Sequence, residues 1–234
     1  MVSTIGWLIG GTAFATMIVS VVFGIFFLLM SKRLGANLLM YTGFLIICTG
    51  LFYLGASVDF LYLIFMGQNI PNESGIHGIL SFTSVGPAII FAMVLGSEIL
   101  IPEKKKIIVI VFGILAVIFE LFLYLDTLNA FVFRNENPGQ DLIDSSFVIL
   151  HPTFLIVAVS LLSALVLCGF GFMIKANQAS GELRKKFSFL SIGFILFVIC
   201  GALDSLVAPG IWLILIRIGM MSYAWLIYFG LKPS

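Results

Sequence analysis

Charge is the scarcest thing in this sequence. Asp, Glu, Lys and Arg together make up 10% of its 234 residues, where a water-soluble domain carries about 25%. A chain so poor in charge cannot cover itself against water, which excludes an ordinary soluble enzyme or binding module. Histidine is scarce too. There are 2, with no H-x-x-x-H or H-E-x-x-H spacing, so no metal site of the three-histidine, seven-helix kind is expected. The 3 cysteines, Cys48, Cys168 and Cys200, each lie inside an apolar run. They read as small buried hydrophobes rather than as ligands or a disulfide framework. No G-x-S-x-G elbow, P-loop or dinucleotide fingerprint is present. No enzyme and no cofactor are therefore expected. A net charge of +1 points to no nucleic-acid partner.

What is present is hydrocarbon. Hydrophobic residues make up 61% of the chain and the mean hydropathy is +1.21. The reading is an all-α integral membrane protein, a single domain over 1–234 with the lipid bilayer as its first partner. The length allows seven spans of about 20 residues with short loops. They are placed at 5–30, 38–65, 75–101, 107–131 and 147–174, with two more inside 187–231. The first is not a signal peptide, because it lacks a basic start and its apolar run is too long. Along it, Gly6, Gly10, Thr12, Thr16, Ser20 and Gly24 form a stripe of small residues that suits close helix packing. Gly86-Pro87 predicts a kink in the third span. Ala208-Pro209-Gly210 predicts a tight turn between the last two. The segment 134–146, with Pro138-Gly139, reads as the longest polar loop.

Orientation follows from the basic residues. Of the 12 Lys and Arg, ten fall in segments on one side and only Arg134 on the other, while Arg217 lies inside a span. The positive-inside rule puts the N-terminus outside and the C-terminus in the cytoplasm of a cell membrane. A faint echo between Gly43-Phe44-Leu45-Ile46 and Gly193-Phe194-Ile195-Leu196 predicts a 3+1+3 parallel repeat of the kind found in transporters.

Ionisable residues inside a membrane are candidate functional sites. Asp204 and Arg217 flank the last turn at matching depth, by the 1.5 Å rise per helical residue. With the orientation above, Asp59, His77, Glu120, Asp126 and His151 also map to the outer half or rim. Asp204, Arg217 and Glu120 are expected to floor an outward-facing cluster, with His77 and His151 nearer its mouth. His77, Ser81 and Ser84 share one helical face. Glu98 maps alone to the inner side, beside three lysines. A retinal protein is excluded, since the last span offers Arg217 where a Schiff-base lysine is needed.

Gly201-Ala202-Leu203-Asp204, which ends the sixth span, and Tyr228-Phe229-Gly230-Leu231, which closes the seventh, resemble the seven-transmembrane sensor regions N-terminal to prokaryotic histidine kinases. The resemblance implies a sensory role. With no kinase segment after Lys232-Pro233-Ser234, a stand-alone sensor is expected to signal through a membrane or cytoplasmic partner. The first expectation is thus a receptor-like protein binding a small or lipid-like ligand from the outer side. The second is a small transporter that moves a solute with protons past Glu120.

Overall fold

In a computed structural model, residues 2–207 and 210–232 are described. Ala208 and Pro209 of the expected turn lie outside them. Among the described residues, seven helices are long and apolar enough to cross a bilayer: α1 (Thr4–Leu34), α2 (Asn37–Met66), α3 (Ile76–Leu100), α4 (Pro102–Leu125), α5 (Pro152–Gln178), α6 (Gly181–Asp204) and α7 (Ile211–Leu231). The chain is a multi-pass membrane protein.

The helices form a closed bundle. α1 packs on α2 and α7, and α3 packs on α2, α4 and α5. α3 is the most buried of the seven and α4 the least. One end of the bundle carries the basic segments and is called the basic end below. The stripe of small residues on α1 is a packing face. Gly6, Gly10, Thr16, Ser20 and Gly24 are all buried. Phe60 of α2 lies so close to Gly10 that a β-carbon there would come within 2.1 Å of its ring.

Three helices depart from regularity. α2 tightens into a 3₁₀ turn at Leu51–Tyr53. α3 breaks between Phe82 and Val85, just ahead of Pro87, whose missing N–H makes an unbroken helix costly there. α5 widens into a π turn at Leu165–Phe170. Within that turn the carbonyl of Gly169 accepts from Ser191 Oγ of α6 at 2.8 Å. That bond pins α5 to α6 in the half nearer the basic end. Towards the other end the two helices diverge.

The segment read as a polar loop is structured instead. After α4 ends at Leu125, a single turn at Thr127–Ala130 leads into β1 (Phe131–Arg134), paired antiparallel with β2 (Asp144–Phe147). The fourth span therefore ends earlier than 131, and the fifth begins at Pro152 rather than 147. The cause is aromatic packing. Phe131 stacks on Phe82 of α3 with centroids 4.5 Å apart, and Phe147 lies 4.7 Å from the same ring. His151 then caps α5, its Nδ1 accepting from Thr153 N–H, with Pro152 as first helical residue.

The hairpin roofs the end of the bundle opposite the basic segments. Its fastenings go to α1 and α2. Ser3 N–H donates to Gln140 O at 2.9 Å, and Ser3 Oγ donates to Asp141. Asp59, fully buried in α2, accepts from Ile143 N–H at 2.8 Å, Ile70 N–H at 2.9 Å and Asn69 Nδ2. Asn69 in turn accepts from Gly139 N–H and Asn135 Nδ2.

Candidate functional site

Beneath the hairpin lies a cavity of about 100 Å³. Tyr53 of α2, His77 and Ser81 of α3, Asp144 of β2, Asp204 of α6 and Arg217 of α7 supply its polar wall. A second cavity of about 190 Å³ reaches Arg217 from the side of α1, past Ile5, Ile9 and Asp141. Arg217 therefore stands between two spaces. Its side chain is 8% exposed.

Three contacts hold it. Nη1 donates to the backbone carbonyl of Ile9 at 2.5 Å. The guanidinium lies 5.4 Å from the centre of the Tyr53 ring, within cation–π range. Nε faces Asp204 Oδ1 at 3.6 Å, close enough for an ion pair but too far for a hydrogen bond. Arg217 Nε and Asp204 Oδ1 are both buried and without a hydrogen-bond partner among the described residues.

His77 is the other unusual group. It is 2% exposed, and neither ring nitrogen has a partner among the described residues. Buried polar atoms are nearly always hydrogen-bonded. A site holding an unbonded imidazole, carboxylate oxygen and guanidinium nitrogen in one cavity offers donors and acceptors to something that enters it.

The expected cluster of seven residues divides into four places. Asp204, Arg217 and His77 come together. Asp59 lies behind the roof and fastens it. Asp126 and His151 form a separate pair at the rim, His151 Nε2 lying 3.3 Å from Asp126 Oδ2, with Asn129 Nδ2 donating to Asp126 at 2.6 Å. Those two partners hold the Asp126 carboxyl below its usual range, the Asn129 hydrogen bond contributing most. Glu120 is not on the cavity floor. It lies in a groove between α3 and α4, where Oε1 accepts from Gly86 N–H at 3.2 Å. That N–H belongs to the first turn after the break in α3, so Glu120 caps an interrupted helix from its neighbour. Tyr124 lines the same groove, its hydroxyl 3.0 Å from Thr83 Oγ1. At the basic end Glu98 pairs with Lys105 at 2.6 Å.

No protein-family model matches the chain, and a comparison with curated proteins gives no match. The site's own chemistry therefore carries the functional argument. Sequence reasoning missed Asp144, which the hairpin turns towards Arg217 and whose carboxyl is pushed up by burial. The only hint was Phe131 and Phe133, two aromatics at alternating positions ahead of Pro138-Gly139, too short a run to mark a strand by itself. Ser81 was marked only by sharing a helical face with His77, and Tyr53 gave no signal. Among the described residues, no group of three His, Cys, Asp or Glu lies together as a metal site would require.

Proposed function

We propose that this chain is a receptor-like membrane protein that binds a small or lipid-like ligand from the outer side, in the cavity between Arg217, Asp204 and His77. The observation that carries this reading is His77: a nearly fully buried imidazole with no hydrogen-bond partner among the described residues, facing a cavity that also holds a buried guanidinium. Leaving such groups unpaired costs about 1–3 kcal/mol each, a cost that a bound ligand removes. The ten-to-one distribution of basic residues supports an orientation with the hairpin outside and the basic end in the cytoplasm. Ligand binding between α6 and α7 would reach a partner through the basic segments Lys175 to Lys186 and Lys104 to Lys106.

The test is a ligand screen by thermal shift on the wild type and on His77→Phe. The aromatic ring fills the imidazole's space and removes two unpaired nitrogens, so the variant should unfold no earlier than the wild type. Compounds that raise the wild-type Tm should lose that effect in the variant. Equal shifts in both proteins would place binding elsewhere. Orientation is checked separately, by labelling Ser145→Cys in intact cells with a membrane-impermeant thiol reagent.

A further inference from the structure

The polar cavity does not end at its polar wall. Phe52, Phe82, Gly201 and Ser205 line it and also line a third cavity, of about 90 Å³, inside the bundle. That inner space lies between α2, α3, α5 and α6, and its walls are almost wholly apolar, with Ala92, Leu161, Ala164 and Phe197 among them. Apolar cavities of this kind stay dry and take up apolar groups. A small polar ligand would leave the inner space empty.

We infer that the ligand is a single-chain amphiphile with an uncharged hydroxyl or amide head, the head between Arg217 and Asp204, the first few methylenes in the inner cavity and the rest of the chain leaving between α5 and α6 into the bilayer. The inference rests on the cavity reading above and names the ligand's chemistry. The head is argued from charge. Arg217 already faces a carboxylate, and Asp144 stands on the same wall. An anionic head would meet two carboxylates, and a cationic head would meet the guanidinium. A hydroxyl or amide can donate to Asp204 Oδ1 and accept from Arg217 Nε, across the 3.6 Å gap that neither group closes alone. His77 offers a further donor and acceptor beside it.

The route of entry is argued from the helices. The hairpin covers the end of the bundle and is fastened through Ser3 and Asp59. The side is different. α5 and α6 are pinned at Gly169 and Ser191 and diverge towards the hairpin end, and the inner cavity lies between their diverging halves. A chain arriving from the bilayer passes between α5 and α6.

The experiment uses the full chain in lipid nanodiscs and a photoreactive analogue of 1-decanoylglycerol with a diazirine midway along its chain. Cross-links are expected near Leu161, Ala164 and Phe197. Excess 1-decanoylglycerol should compete, while decanoate and decyltrimethylammonium should not. Gly201→Phe places a ring at the junction of the two cavities. A β-carbon at Gly201 meets nothing within 4 Å, so the backbone accepts a side chain there, and the Tm of the variant is measured beside its labelling. Its labelling should fall about tenfold, the effect of excluding roughly two methylenes from an apolar site. Labelling that is unchanged in Gly201→Phe, or that decanoate competes equally well, overturns the inference. If either happens while His77→Phe still abolishes the thermal shift of a small polar compound, the amphiphile fails and the polar cavity stands. If both variants behave as wild type throughout, both readings fail.

Discussion

Arg217 of α7 donates from Nη1 to the main-chain carbonyl of Ile9 in α1, so the last helix is tied to the first through a buried cation. The same side chain faces Asp204 across 3.6 Å, so it fastens α7 to two neighbours and, in the function proposed above, would also bind the ligand. Removing it should reveal the first role. Arg217→Gln strands Asp204 and frees the Ile9 carbonyl. Breaking such a pair costs about 3 kcal/mol, a fall in Tm of roughly 10 °C for a chain of this size. Because Asp204 is 26% exposed, Asp204→Asn should cost less, and the double variant should recover part of the loss. Thermal unfolding of the four proteins in detergent checks this. Additive losses would mean that the two residues do not interact.

Asp59 should prove to be a structural anchor for the roof. It gathers Ile143 N–H, Ile70 N–H and Asn69 Nδ2 on one carboxylate. Asp59→Asn turns one acceptor into a donor against these groups. A stranded buried donor costs about 1–3 kcal/mol. Amide exchange at Ile143 and Ile70 should quicken while α5 and α6 keep their protection. Unchanged exchange at both amides would show that the hairpin is held by other means.

The two acids at the hairpin end should respond to pH in opposite senses. The Asp126 carboxyl is held below its usual value by the Asn129 amide and then His151. Its contribution to stability is present above the ordinary carboxylate range and is lost as pH falls through the lowered value. The Asp144 carboxyl is pushed up by burial. It favours folding while protonated, and that contribution is lost as pH rises through the raised value. Asp126→Asn should therefore flatten the fall in Tm below about pH 4. Asp144→Asn should raise Tm near neutral pH. Tm profiles that run parallel to wild type would remove both assignments.

The contact between α2 and α3 at Gly55 leaves no room for a side chain. A β-carbon there would meet Ser81 Oγ at 2.2 Å and the backbone oxygen of His77 at 2.4 Å. Gly55→Ala should cost about 1–3 kcal/mol by overpacking and push His77 off its place in the cavity wall. Gly113 in α4 meets nothing within 4 Å. Gly113→Ala should be neutral or stabilise by up to about 1 kcal/mol. Equal effects of the two substitutions in detergent would contradict the packing described.

Long apolar runs made the seven helices legible, because a bilayer demands about 20 such residues per span. The spacing of small residues from Gly6 to Gly24 likewise marked the face of α1 that meets α2. The hairpin was not legible. Its strands are 4 residues each, too short for period-two alternation to stand out from a polar loop. Depth alone also could not separate Glu120 from Arg217. Both lie well inside their helices, but direction around the axis decides which groove a side chain enters, and helices this uniformly apolar carry little rotational signal. Asp59 was ambiguous for a related reason: two of its partners, Asn69 and Ile70, lie in the loop that follows its helix, and the third, Ile143, lies far along the chain.

The Gly169–Ser191 bond also sets a lever arm. Asp204 lies 13 positions beyond Ser191 on α6, about 20 Å by the helical rise. Pivoting α6 there through about 5° swings Asp204 by roughly 1.7 Å, a sizeable fraction of its 3.6 Å separation from Arg217. α7 is tied to α1 through that same arginine, so a swing of α6 that α7 does not follow widens the gap. The Asp204–Arg217 gap is then a gauge of how far the side door between α5 and α6 stands open.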